Sequence, residues 1–147
     1  MANVNGVNKT LAVTTGGIGT ANLIARGACG GNVKVMTDYY EASATAANTS
    51  ILMGPALPVG ARIMGISTAY DNIYSGGSSV LRVGDSADDD RHQSITVTAA
   101  GVTATTNLDS MDYVVGTTSG DNQIIVKCTG TSAATGTIKV VVYYTEA

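Results

Sequence analysis

The chain has 147 residues, only 13% of them charged, and a net charge of −3. Area scaling buries about two-thirds of a chain this long, which allows one real core and not two domains. The composition excludes a coiled coil, which needs Leu, Glu and Lys at heptad spacing, and a charged disordered chain; it also argues against nucleic acid as a partner, since phosphate binding runs on clustered Lys and Arg.

Residues 1–32 differ from the rest. They are built from Asn, Gly, Thr and Ala with scattered Val, Leu and Ile, and no acid occurs before Asp38. Residues 1–37 therefore carry Lys9, Arg26 and Lys34 against no acid, +3, while the remaining 110 carry 5 basic and 11 acidic side chains, −6. The missing alternation and the charge split predict an extended N-terminal arm over 1–32. Its Lys9 and Arg26 would meet an acidic surface, on a partner or on the chain's own body. The start shows no basic stretch followed by an apolar one, and the longest apolar runs, such as Val140–Tyr144, fall far short of the ~20 residues of a membrane-spanning helix. A soluble product made in a cytoplasm, with no membrane partner, is the expectation.

From Val33 the pattern turns to period two. Val33, Val35 and Thr37 alternate with Lys34, Met36 and Asp38, which predicts a strand; Ala42–Ala47 is ambiguous between a helical turn and an extended run. Ile51–Met53 is a short apolar strand closed by Gly54-Pro55. Arg62–Asp71 is a long strand in which Gly65 marks a bulge or a close backbone approach. Further strands are predicted at Ser78–Val83, Ser94–Thr98, Met111–Thr117, Gln123–Thr129 and Thr137–Thr145, with Gly-rich turns between them. About eight short strands over 33–147 and no sustained 3.6-residue stripe predict an all-β fold, a jelly-roll-like β-sandwich with the extended arm outside it. In the last strand Ile138, Val140, Val142 and Tyr144 share one face, and Lys139, Val141, Tyr143 and Thr145 the other. A simple sandwich strand needs one apolar face. Val141 and Tyr143 are therefore candidates for a subunit interface, the cover being another copy, the arm or the chain's own loops.

The chemical inventory is thin. Gly17-Ile18-Gly19-Thr20 lacks the third glycine, the βαβ context and the distal acid of a dinucleotide fingerprint, and no phosphate loop is present. His92, the only histidine, lies near Ser94 and Asp90 without a nucleophile elbow; a satisfied surface or loop histidine is the expectation. Cys29 and Cys128 make no disulfide framework and, with His92, too few ligands for zinc. The acidic run Asp85–Asp90 has two readings. Its carboxylates could wrap Ca²⁺, though not at EF-hand spacing. The favoured reading is a solvated turn in which Asp85 hydrogen-bonds the backbone and Arg91 neutralises part of the charge. No catalytic, cofactor-binding or metal-ligating residue is assigned, and no enzymatic activity is expected.

Three runs are familiar in type: Leu57-Pro58-Val59-Gly60-Ala61-Arg62-Ile63; Ser78–Asp85 followed by Asp88-Asp89-Asp90-Arg91; and Ala134–Tyr144. Through them the stretch Ile51–Tyr144 resembles small virion proteins of tailed double-stranded DNA bacteriophages, capsid decoration (cement) proteins in particular. The resemblance implies a β-rich homotrimer that binds the major capsid protein on the outer shell and bridges capsomers. It does not extend to the arm; there it is the charge split that makes Lys9 and Arg26 candidates for contact with acidic patches on such a shell. The same look is shared by fibre- or tail-associated modules that bind a receptor or carbohydrate, which is the alternative.

Overall fold

Val, Ile and Thr spaced at period two favour a pleated, half-buried backbone, and the chain forms strands wherever that spacing holds. The computed structural model describes residues 32–73, 79–98, 101–104, 113–116, 122–130 and 133–146. They form β1 (Val33–Thr45), β2 (Ser50–Met53), β3 (Arg62–Tyr70), β4 (Ser79–Gly84), β5 (Gln93–Val97), β6 (Gly101–Ala104), β7 (Tyr113–Val114), β8 (Ile124–Thr129) and β9 (Ala134–Thr145). No helix occurs among the described residues.

The strands build two antiparallel sheets. The first runs β1-β9-β3-β6, with the two-residue β7 also pairing β3; the second runs β2-β8-β4-β5. The pairing is nested: β4 with β5, β3 with β6, β2 with β8 and β1 with β9. A long hairpin folded at the β4–β5 turn and rolled over itself gives this order, which is the jelly roll the strand spacing predicts. The strand that sequence reading misses is β6. Gly101-Val102-Thr103-Ala104 has no alternation, and its pairing with β3, from Ser67↔Ala104 to Tyr70↔Gly101, puts it in the sheet. The ambiguous Ala42–Ala47 run is largely extended. It continues β1 to Thr45 through a register shift between Ala42 and Thr45, with Ala44 at φ 53°.

The core is aliphatic. Met36 and Ala42 of β1, Ile63 and Ile66 of β3, and Ile138, Val140 and Val142 of β9 face Met53, Leu81, Val83, Ile95, Val126 and Cys128 of the second sheet. One polar link crosses it: the buried Thr68 hydroxyl donates to Gln93 Oε1, and Gln93 Nε2 donates to the Ile66 carbonyl at 3.1 Å. Each buried group is satisfied by the other sheet, so the link ties β3 to β5 without an orphaned polar atom. The sandwich starts at Val33, where alternation starts. The predicted arm, with Lys9 and Arg26, lies outside the described residues apart from Asn32.

Candidate functional site

The two outer faces of the sandwich differ in chemistry. On the second sheet Arg82 of β4 lies directly opposite Lys127 of β8, a like-charge pair that is unfavourable alone. Asp89 resolves it. Its Oδ1 accepts from Arg82 Nη1 at 3.0 Å and its Oδ2 from Lys127 Nζ at 2.7 Å. The Lys127 hydrogen bond, reinforced by Arg82, holds the Asp89 carboxyl below the ordinary carboxylate range. The loop after β4 thus folds back over its own sheet. Gly84 permits this: a Cβ there would lie 2.1 Å from the Asp88 carbonyl oxygen.

Asp85 organises that loop. Its Oδ1 accepts from the backbone N–H of Ala87 at 2.9 Å and of Asp88 at 3.0 Å, and its Oδ2 accepts from Arg91 Nε at 2.7 Å. The expected backbone turn and Arg91 partner are both present. The expected solvation is not, because the Asp85 side chain is buried. The Arg91 guanidinium spans Asp85 and the Tyr113 ring, 4.6 Å from its centroid, where a cation is attracted to the ring face. Asp88, Asp89 and Asp90 each bring an oxygen within 4.8 Å of the others. Asp88 beside it raises the Asp90 carboxyl.

His92 corrects the sequence reading. It is 2% exposed, and neither ring nitrogen has a hydrogen-bond partner among the described residues. Its ring meets Tyr113 edge-on, with centroids 5.7 Å apart. Burial pushes its pKa down to about 4. It lies in the loop between β4 and β5, as expected, but its ring is neither satisfied among the described residues nor at the surface: it packs inward against Tyr113. It makes no relay with Ser94 or Asp90.

The outer face of the first sheet carries the candidate site. Opposite residues in an antiparallel pair share a face, so the register aligns Val35 of β1, Tyr143 of β9 and Gly65 of β3 in one row. The next row holds Thr37, Val141 and Ser67, and the row at the β1 start holds Val33, Thr145, Arg62 and Val114. Tyr143 is 41% exposed and Val35 56%. Val33, Tyr39, Met64 and Val114 are exposed too, while Val141 is half-buried. Val141 and Tyr143 thus lie on the outer face of β9, between exposed Lys139 and buried Thr145. Val33 and Val35, read in the sequence only as alternation, join Val141 and Tyr143 on that face. The residue offset between Ile63 and Gly65 is the bulge expected at Gly65, and Met64 is the extra residue. Gly65 has open space above it, leaving Tyr143 unscreened from that side. A broad sheet face with few charges and several exposed apolar side chains is suited to protein contact.

No protein-family model matches the sequence, and no curated protein matches it either. Solved structures share the fold. A chain of the cyanophage Pam1 capsid asymmetric unit superposes with a TM-score of 0.65 at 23% identity, covering 85% of this chain and 93% of that one. A chain of the Ralstonia phage GP4 capsid gives 0.61 at 22%, covering 81% and 87%. A chain of the acid-stable capsid of Helicobacter pylori bacteriophage KHP30 gives 0.57 at 15%, covering 77% and 86%. This chain is a jelly-roll β-sandwich of the kind found in those phage capsid structures.

Proposed function

We propose that the chain is a non-enzymatic virion structural protein: a homotrimeric decoration protein that sits on the outer surface of a tailed-phage head and bridges subunits of the major capsid protein. The observation that carries this reading is the fold shared along most of the chain with chains of three phage capsid structures. The face bearing Val35, Val141 and Tyr143 supports it. Sparse charge there means little desolvation cost, and a symmetric neighbour is an efficient cover for exposed apolar side chains. Lys9 and Arg26 of the arm would reach acidic patches on the shell. Several such modest contacts made at once by a trimer multiply into firm attachment, and contacts across capsomers would oppose the outward pressure of packaged DNA.

The test is to mix the purified chain with capsids lacking it and to measure bound copies and resistance to heat or osmotic shock. Saturable binding in a fixed ratio to the shell subunit, with hardened particles, is the expected result. Attachment confined to the tail or fibres would favour a receptor- or carbohydrate-binding module instead.

A further inference from the structure

β1 is an edge strand, and its backbone has a direction. Thr137 turns its backbone towards the β3 side of β9: its N–H donates to Asp71 Oδ2 at 2.9 Å and its carbonyl accepts from Asp71 N–H at 3.0 Å. Backbone groups alternate sides along a strand. Lys139, Val141 and Tyr143 therefore also turn away from β1, and their partners Tyr39, Thr37 and Val35 turn their own N–H and C=O away from β9. The Tyr39 N–H agrees, since it donates to Asp38 Oδ1 at 2.8 Å. The Asp38 Oδ2 accepts from Gly54 N–H at 2.7 Å, so one carboxylate stops the edge at Tyr39 and ties it to the end of β2. Among the described residues the edge stays open over Val33, Val35 and Thr37. No described strand pairs it and no proline interrupts it, and its one charge, Lys34, is taken up by an ion pair with Glu146, so the devices that usually protect such an edge are weak here.

We infer that this open edge pairs antiparallel with the same edge of a second copy, about a two-fold axis at Val35. In that register Val35 meets Val35 and Val33 meets Thr37, so every backbone group used is one that points outward. Lys34 faces Met36, and no like charges meet. Centring on Asp38 would set two carboxylates against each other, and centring on Thr37 would call on the Tyr39 N–H that Asp38 already holds. The contact is isologous and closes at two copies. It uses the sheet edge and leaves the outer face with Tyr143 free, so it adds a lateral link to the proposed assembly without depending on it.

Single-cysteine probes test it in the purified full-length chain, without capsids, in a Cys29→Ser background that leaves only the buried Cys128. Hydrogen-bonded antiparallel partners have Cα atoms about 5.5 Å apart, so Val35→Cys should give a covalent dimer with a short bis-maleimide. Tyr39→Cys should not, because the two copies of that position would be about 27 Å apart at ~3.4 Å per residue. Equal dimer from both variants, or none from Val35→Cys, overturns the inference. Dimer from Val35→Cys appearing only after residues 1–31 are deleted also overturns it, by showing that the chain's own arm takes the edge. A failure here leaves capsid binding untouched, and a failure of capsid binding leaves this test intact.

Discussion

Replacing His92 by Leu should change how the protein responds to acid. The folded-state pKa is about 4, lowered chiefly by burial, against 6.5 for an ordinary histidine. The unfolded chain therefore binds a proton between pH 6.5 and 4 that the folded chain refuses. The associated stability is whole above pH 6.5, is lost as pH falls towards 4, and then levels off. A depression of this size is worth about 3 kcal/mol. At roughly 3 °C per kcal/mol for a domain of this length, the loss is about 9 °C in Tm. The leucine has no proton to take up, and neither ring nitrogen leaves a hydrogen-bond partner behind among the described residues. Denaturant melts of both proteins at steps from pH 7 to pH 4 supply the difference profile, in which the carboxylates cancel. The wild type should lose about 3 kcal/mol more than His92→Leu across that window. Parallel profiles would refute the reasoning and place His92 in contact with water.

Gly84→Ala should destabilise the fold by about 2 kcal/mol, read as a lower urea midpoint, because the new Cβ collides with the Asp88 carbonyl and lifts the loop. EDTA should leave the Tm unchanged, since Asp85 and Asp89 are already held by Arg91, Arg82 and Lys127; a drop restored by calcium would assign Asp88–Asp90 a metal. Tyr143→Lys should preserve the melt and abolish trimer formation in sedimentation. Deleting residues 1–32 should leave a folded β core with weakened capsid binding, and a chain unable to fold would make the arm part of the core.

The sandwich was legible because its strands alternate and its turns are rich in glycine; the alternation of β9 even put Val141 and Tyr143 together on one face. What alternation alone does not reveal is which strand lies beside β9. Only the register shows that Val35 stands next to Tyr143, and that two residues 108 positions apart form one patch. β6 was hidden because its placement is tertiary. His92 was hidden because burial of a polar ring depends on Tyr113, 21 positions further along, a contact that only the fold makes. The acidic run shows both sides of this. The Asp85 turn follows from local chemistry, while the partnership of Asp89 with Lys127 joins the β4–β5 loop to β8, distant in sequence.

The most direct test of the proposed role is to ask whether purified phage particles carry the chain, by imaging them by electron cryomicroscopy and locating it in the density. The account predicts threefold clusters of the jelly roll on the outer surface of the head, each touching more than one capsomer and present in a fixed ratio to the major capsid protein. A head surface without it, or a few copies confined to the tail, would contradict the proposal.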